Sequence, residues 1–328
     1  MLIAAGDRYD RLVSWSAVTT SSDGMVWTEP TEPFNDRAKV ISVARGPDRV
    51  IAVSDTGWVS NTALPVINWK TDRLWHGNFS PQSVSYSKDY SGYNGIYMMC
   101  GQGKFLRPEG MYSELDEAGL IYANTTGENW DWRLLIGYWK SDSRFYNIRR
   151  IITAHSDAWI AVGSAENKPI AVYSLDNGAS WNDISFPEIT DVVHAPTAAY
   201  DVTYNAGRFW FTLDGLVLNT TNIASPTWNA SRPIRPRYGR ADMIKIASNP
   251  DEHMVAVCSG GIAYCTDLSG WSLFSPPGYR FRSIKWYVDR WVASAESNLT
   301  TYTYWYSKDT INWYPANNKV QAYDFVIA

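Results

Sequence analysis

The residues best suited to recognising a ligand are six arginines in the last third of the chain. Guanidinium groups bind carboxylates and phosphates through two parallel hydrogen bonds. The cluster therefore predicts one of two things: a site for an anion or an acidic glycan, or a patch of salt bridges that faces the protein itself. Its members are Arg232, Arg235, Arg237, Arg240, Arg280 and Arg282.

Aromatic residues in three long segments form a second group of candidates for contacting a ligand or partner. The segments are an insertion at 102–118, a connector at 132–145 and a stretch at 71–81. Long loops on a rigid scaffold often carry function, and surface decoration is the alternative. Tyrosine and tryptophan rings anchor many interfaces. The candidates are Trp75, Tyr112, Tyr138 and Trp139.

The sequence offers no catalytic set, metal-ligand pattern or cofactor motif. Carboxylates suited to glycoside hydrolysis exist at Glu109, Glu114, Asp191 and Asp201, but no spacing singles out a pair. The four histidines are scattered, and neither His-Glu-x-x-His nor Cys-x-x-Cys occurs. We therefore predict no enzyme activity, no metal and no cofactor.

Composition bounds the class of protein. The 328 residues carry 29 Lys and Arg against 33 Asp and Glu, and 15% of them are aromatic, which excludes a disordered chain. The weak negative charge predicts no nucleic-acid partner, and the lack of a long apolar run predicts no membrane insertion. Three cysteines are too few for a disulfide framework and indicate buried thiols. Residues 1–6 lack the basic start of a signal peptide, which predicts synthesis in a cytoplasm without cleaved export.

A repeated motif organises the chain. The clearest copy is Ser-Leu-Asp-Asn-Gly-Ala-Ser-Trp at 174–181, and a copy one residue shorter lies at 21–27. Successive motif tryptophans are 42, 61, 51, 47, 43 and 42 residues apart, and the path from the last through the C-terminus to the first is again 42. This closure predicts a ring of seven units. The tryptophans are Trp27, Trp69, Trp130, Trp181, Trp228, Trp271 and Trp313.

The segments between the motifs read as short β-strands. Each unit of about 42 residues holds four stretches rich in β-branched and aromatic residues with Gly and Asp turns, which is typical of a propeller blade. We predict an all-β, seven-bladed propeller that spans residues 1–328 as one domain. Residues 2–5 read as a second strand and 321–328 as a first strand, so blade 1 combines 1–33 with 319–328.

The motif residues are predicted to build turns and not to bind ligands. Ser and Asp side chains hydrogen-bond to the backbone of their own turn, Gly supplies a positive φ, and Trp packs between sheets. These turns join third and fourth strands, so we predict ligands on the opposite face. The residues assigned this structural role are Ser21, Asp23, Gly24, Trp27, Ser174, Asp176, Gly178, Trp181, Asp267, Trp271, Ser307, Asp309 and Trp313.

The Ser-x-Asp-x-Gly-x-x-Trp pattern resembles the Asp-box, or bacterial neuraminidase repeat. That repeat occurs in sialidases, xyloglucanases, a photosystem assembly factor and propeller proteins of tailed bacteriophages. The resemblance implies the propeller fold. It also implies a setting in a bacteriophage virion, as a tail, fibre-associated or decoration protein whose partners are other virion proteins or a host-surface glycan.

Two rival functions stay open. A sialidase-like glycoside hydrolase requires an early Arg-Ile-Pro element, which is absent: residues 1–40 contain only Arg8, Arg11 and Arg37. An intracellular assembly factor would use the arginine cluster to hold a protein partner. The sequence favours a non-catalytic binding or structural propeller over both.

Overall fold

The computed structural model describes residues 1–327 except 11–12, 35–37, 65–67, 75–78, 89–94, 106–115, 127–131, 139–141, 154–156, 190–194, 232–242, 259, 268–269, 298–301 and 319. Throughout that part of the chain the regular elements are β-strands. A helix long and apolar enough to cross a membrane does not occur among these residues.

The strands form seven antiparallel sheets, the blades. Blade 1 holds β1 (Leu2–Asp10), β2 (Val13–Ser21) and β27 (Gln321–Ile327), with an isolated bridge from Val18 to Thr31. Blade 2 holds β3 (Val40–Arg45), β4 (Arg49–Ser54), β5 (Trp58–Ala63) and β6 (Lys70–Arg73). Blade 3 holds β7 (Phe79–Ser87), β8 (Ile96–Phe105), β9 (Asp116–Asn124) and β10 (Arg133–Tyr138). Blade 4 holds β11 (Arg144–Ile152), β12 (Asp157–Ala165), β13 (Lys168–Ser174) and β14 (Asn182–Asp183).

The last three blades repeat the same four-stranded meander. Blade 5 holds β15 (Ala199–Asn205), β16 (Arg208–Leu213), β17 (Leu216–Thr220) and β18 (Asn229–Ser231). Blade 6 holds β19 (Met243–Ser248), β20 (Met254–Cys258), β21 (Gly261–Cys265) and β22 (Ser272–Phe274). Blade 7 holds β23 (Tyr279–Tyr287), β24 (Arg290–Ser297), β25 (Tyr302–Ser307) and β26 (Tyr314–Asn318).

The first strand of each blade lies at the centre of the ring. These inner strands contact one another in the order β27, β3, β7, β11, β15, β19, β23 and back to β27. The C-terminal strand β27 pairs with β1, from Leu2 opposite Ile327 to Asp7 opposite Gln321. The predicted seven-bladed propeller, closed by the C-terminal strand, is therefore confirmed.

Middle strands are apolar along their whole length because both of their faces are covered by neighbouring blades. In β12 the six residues from Ala158 to Gly163 are all buried, and β20 is buried throughout. The apolar side chains collect in seven clusters, one between each pair of adjacent blades. The core is therefore a ring of seven packed interfaces around a central channel.

A β-bulge interrupts every inner strand at the same place. The pairing with the second strand shifts by one residue, and a polar or charged residue follows the bulge. A bulge bends a strand and re-aims the side chains beside it. The bulged residues are Ile41, Gln82, Tyr146, Tyr200, Ile244, Arg282 and Tyr323.

All three predicted loop segments are partly strand. The stretch predicted at 71–81 includes the end of β6 and the start of β7. The insertion predicted at 102–118 is framed by β8 and β9, which stay paired out to Phe105 opposite Asp116. The connector predicted at 132–145 contains β10, which pairs with β9 from Arg133 to Tyr138. The differences at 102–118 and 132–145 arise because the strands of blade 3 run longer than the repeat length suggested.

Antiparallel connectivity divides the turns between two faces of the ring. Turns from first to second strands and from third to fourth strands share one face, which we call the box face. Turns from second to third strands and the connections between blades share the other, the opposite face.

Candidate functional site

The motif turn of blade 4 is held by its own side chains. Ser174 Oγ donates to Asp176 Oδ1 at 2.7 Å and accepts from the Gly178 amide at 2.8 Å. Asp176 also accepts from the Ser180 amide and hydroxyl, at 2.8 and 2.6 Å. These bonds, with the Ser180 hydroxyl and amide foremost, lower the pKa of Asp176 to about 2. The carboxylate stabilises this turn.

The motif turns of blades 1 and 7 repeat the arrangement. Asp23 accepts from the amides of Val26 and Met25 at 2.9 and 2.8 Å, and these bonds lower its pKa. Asp309 accepts from the amide and side chain of Asn312, at 2.8 and 2.7 Å, which lowers its pKa as well. Asp267 of blade 6 lies exposed in its turn.

Blade 5 contains a motif turn that sequence reasoning located only loosely. Thr220 Oγ1 accepts from the Asn222 amide at 3.2 Å, and Asn222 Oδ1 accepts from the Ala224 amide at 2.9 Å. Thr and Asn thus take the places of Ser and Asp. The signal in the sequence is the Thr-x-Asn spacing, which preserves the acceptors without the charge.

Each of the seven interblade clusters contains one tryptophan from the end of a third-to-fourth strand connection. In six blades it comes directly before the fourth strand, and in blade 1, which has three strands, Trp27 lies four residues before the bridged Thr31. In blade 3 this residue is Trp132, which is 7% exposed, directly before β10. The sequence prediction had placed Trp130 in this role, and Trp130 lies outside the described residues. The full set is Trp27, Trp69, Trp132, Trp181, Trp228, Trp271 and Trp313.

Most of the predicted ligand-binding residues lie outside the described residues. This holds for Arg232, Arg235, Arg237, Arg240, Trp75, Tyr112 and Trp139, and for the side chain of Tyr138. Of the two described arginines, Arg282 forms a 3.0 Å ion pair with Glu296, and Arg280 is exposed. Burial alone would raise the pKa of Glu296, but the bond and charge of Arg282 outweigh it and lower that pKa.

The polar residues that follow the bulges form a belt around the channel. Asp324 accepts from Ser42 Oγ at 2.6 Å, and Ser42 Oγ accepts from the Val84 amide at 3.1 Å. Ser83 Oγ donates to Asn147 Oδ1 at 2.7 Å, and Asn147 Nδ2 donates to Asp201 at 2.5 Å. Each bond joins two adjacent blades, so the belt fixes their relative positions.

Asp201, one of the acids considered for hydrolysis, is a belt residue. Its side chain is fully buried and accepts from Asn147, from Arg149 and from the Ile246 amide at 2.9 Å. A carboxylate that is closed from solvent and occupied by three donors has no room for a substrate. Sequence reasoning missed the belt, although a polar residue interrupting each apolar first strand was its signal.

An axial cavity of about 410 Å³ lies inside the belt and is lined by residues from all seven inner strands. Five cationic side chains line it, against one carboxylate, that of Asp324. The lining also includes Ile152 and Ile327, which are 65% and 48% exposed at the box-face ends of their strands. The cations are Arg45, Arg149, Arg150, Lys245 and Lys285.

Exposed large apolar side chains gather on the box face. All those found among the described residues lie on first-to-second or third-to-fourth strand turns or at strand ends beside them. Scattered apolar residues are normal on a surface, but several that lie close together mark a candidate interface. They are Met1, Met25, Val26, Ile152, Leu175, Val288, Ile311, Tyr314 and Ile327.

Three neighbouring turns of blades 7 and 1 bring four of these side chains together. We call Met25, Val26, Val288 and Ile311 the apolar ridge; they are 50%, 74%, 72% and 57% exposed. Lys308 pairs with Asp289 at 2.8 Å, which joins the two turns of blade 7. Arg290 contacts the Met25 sulfur, and the Tyr287 hydroxyl donates to the Ser22 carbonyl at 3.0 Å, which joins blade 7 to the turn of blade 1. Arg290 also pairs with its neighbour Asp289 at 2.8 Å.

Sequence comparison matches the chain to no family model and to no curated protein. Structural comparison finds similar propellers. "YCF48 bound to D1 peptide" is 15% identical with a TM-score of 0.60, over 90% of this chain and 92% of that chain. Sqt1 of Saccharomyces cerevisiae is 10% identical with a TM-score of 0.58, over 94% and 90%.

A structure from a study of two prolyl endopeptidases is also similar, at 8% identity and a TM-score of 0.55, over 96% of this chain and 50% of that one. At such identities the likeness shows the fold alone, because one propeller scaffold serves unrelated functions.

Proposed function

We propose that this protein is a non-catalytic propeller that binds a protein partner through its box face, and not through the opposite face where the sequence led us to expect ligands. The observation that carries the proposal is the apolar ridge, where four large apolar side chains stand exposed on three adjoining turns. The similarity to a propeller solved with a bound peptide supports the same class of function.

The backbone at Val288 supports a functional reason for the ridge. Val288 has φ 57° in the two-residue turn between β23 and β24, a position that glycine or asparagine usually occupies. A β-branched side chain is strained there, and its 72% exposure gives it no compensating burial within the chain. Strain of this kind persists where a binding function uses the side chain.

The chemistry of the partner follows from the charges around the ridge. Asp289 binds both Lys308 and Arg290, and the bonds from Lys308 and then Arg290 lower its pKa to about 2. The carboxylates Asp23 and Asp309 lie on the same turns, so charges of both signs surround the ridge and neither sign dominates. A partner with an uncharged, apolar contact surface fits this arrangement.

The setting we propose is a bacteriophage virion, with the protein acting as a tail, fibre-associated or decoration component. The resemblance of its turns to the repeats of phage propellers supports this setting. Mass spectrometry of purified particles should then detect the chain at a fixed ratio to the other tail proteins. A host glycan bound by the arginines of the opposite face stays a prediction.

Site-specific photo-crosslinking tests the interface. A benzophenone amino acid at position 288, in cells that make the protein natively, should give one discrete protein adduct. The same probe at Glu166, an exposed turn residue of the opposite face, serves as the matched control. The adduct should disappear with Ile311→Asp. An adduct that forms equally from position 166, or that survives Ile311→Asp, would contradict a box-face interface.

A further inference from the structure

We propose that the axial cavity binds a small organic oxyanion, a molecule bearing carboxylate or phosphate groups. The inference uses none of the ridge residues, so it can be tested independently of the proposed protein partner. At about 410 Å³ the cavity has the size of small-molecule sites, which commonly span about 300–1,000 Å³.

The cavity has more cationic side chains than its own acids neutralise. Arg149 pairs with Asp201, and Arg150 pairs with Asp157. The ammonium groups of Lys245 and Lys285 have neither a hydrogen bond nor an ion pair within the described part of the chain. The Nε of Arg45 is buried there without a partner as well.

The one lining carboxylate is already occupied. Asp324 accepts from Ser42 Oγ at 2.6 Å, from the Val43 amide at 3.2 Å and from the Phe325 amide at 2.9 Å. These bonds hold the carboxylate at the belt, where it joins two blades. An anion from outside the chain would supply the acceptors that Lys245, Lys285 and Arg45 lack.

The pKa of Lys285 should respond to a bound anion. Burial lowers its pKa to about 8, the charges of Arg149 and Lys245 lower it too, and those of Asp324 and Asp201 raise it. A bound oxyanion would favour the protonated ammonium and raise that pKa. Binding should therefore weaken as the pH rises above about 8, because the ammonium is lost.

The lining also restricts the class of ligand. Seven inner strands enclose the cavity, so a nucleic-acid duplex cannot enter it. A cluster of cations disfavours a metal ion, and no group of three potential metal ligands occurs in the described residues. A compact molecule with two or three oxyanion groups matches the spread of the cations over β3, β11, β19 and β23.

Calorimetric titration with citrate and with inorganic phosphate tests the site in the full chain. Lys285→Met and Lys245→Met should each weaken citrate binding about tenfold or more, since each removes a charge-assisted hydrogen bond. Lys308→Met removes a lysine outside the cavity and should leave binding unchanged. Citrate binding with weaker phosphate binding indicates a polycarboxylate, and the reverse order indicates a phosphate compound.

A second measurement needs no variant. In ¹³C-methylated protein, the Lys285 resonance should titrate near pH 8 and move to higher pH with saturating citrate or phosphate. Unchanged titration with both probes would overturn the proposal. So would equal losses of binding in Lys308→Met and Lys285→Met, because they would show only nonspecific attraction.

Discussion

At position 178, both the backbone conformation of the turn and the packing around it require glycine. Gly178 has φ 89°, and a Cβ atom there would lie 2.6 Å from Leu135 Cδ1 and 2.9 Å from Met98 Cε. A side chain would therefore be strained and would also disturb the cluster between blades 3 and 4. The sequence motif indicated the first effect, but only the packing of blade 3 against this turn reveals the second.

We expect Gly178→Ala to lower the free energy of unfolding by about 2–4 kcal/mol, from backbone strain plus overpacking. Two other glycines separate these causes. Gly207 has φ 72° with nothing within 4 Å of a Cβ, so Gly207→Ala should cost only about 1–2 kcal/mol. Gly270 has an ordinary φ and open space, so Gly270→Ala should cost nothing. Urea denaturation measures all three, and equal losses would refute the packing argument.

At Val288, in contrast to Gly178, we predict that a substitution raises the stability of the fold. Val288→Gly relieves a β-branched residue at φ 57°, and the side chain is 72% exposed, so little packing is lost. We expect about 1 kcal/mol of added stability by thermal denaturation. Ile311→Gly is the matched control: it lies on the same ridge without a positive φ and should lose about 0.5–1 kcal/mol. A loss in both variants would argue against strain at Val288.

At the scale of the element, the motif turns link stability to pH. Hydrogen bonds lower the pKa of Asp176 to about 2, below the value of about 3.9 for an unfolded aspartate. A carboxylate whose pKa is lower in the folded state stabilises the fold above its unfolded pKa. That stabilisation disappears as the pH falls through the folded value. The turns should therefore weaken between about pH 4 and pH 2.

The variant Asp176→Asn measures how much the carboxylate of one motif turn contributes to this pH-dependent stability. The equivalent position in blade 5 is naturally Asn222, whose side-chain oxygen also accepts from a backbone amide of its own turn, so the variant should fold. We expect its urea midpoint at pH 7 to be lower than that of the native chain, and the difference to shrink toward pH 2. A difference that stays constant with pH would show that the carboxylate charge does not stabilise the turn.

The elements also show where sequence reasoning reaches its limit. Repeat spacing identified the turns and the strands because each motif has local hydrogen bonds and a tryptophan before a fourth strand. In blade 3 it predicted Trp130, which lies outside the described residues, and it did not identify Trp132, which is buried in the core there. The belt was missed because Ser42, Asn147 and Asp201 acquire partners only when blades distant in sequence meet.

At the scale of the whole molecule, the ring depends on one noncovalent closure. The strand β27 pairs with β1 and contacts the inner strands β3 and β23, so it joins blade 7 to blade 2. Its side chains Ala322 and Phe325 are buried between blades 7 and 1, and Asp324 bonds to blade 2. Closure also covers the inner edge of β1, which would otherwise be open to pairing with another chain.

The sequence predicted this closure correctly, since spacing across the two ends equals the repeat length. It did not predict the axial cavity or the apolar side chains that the described residues expose on the box face. Both arise from the arrangement of seven blades around an axis, which places Lys245 beside Lys285 and Met25 beside Arg290. Such neighbours are 40 and 265 residues apart in the chain, and no local pattern connects them.

Removing β27 tests how much of the stability of the whole ring depends on closure. A chain that ends at residue 319 loses the burial of Ala322 and Phe325 and the bond from Ser42 to Asp324, and it exposes the edge of β1. We expect a loss above about 5 kcal/mol, comparable with the total stability of many domains. Removing only residues 327–328 is the control, because Ile327 is 48% exposed and should contribute little.

A circular permutant separates the strand's contacts from its connectivity. Leu2 lies opposite Ile327, so a short linker from residue 328 to residue 1 forms an ordinary hairpin. New ends between Glu166 and Asn167 fall in an exposed turn of the opposite face. This permutant should fold and unfold cooperatively by calorimetry, with at least the native midpoint, because closure becomes covalent. Two results together would show that β27 does not close the ring: the permutant fails to fold, and the chain that ends at residue 319 remains stable.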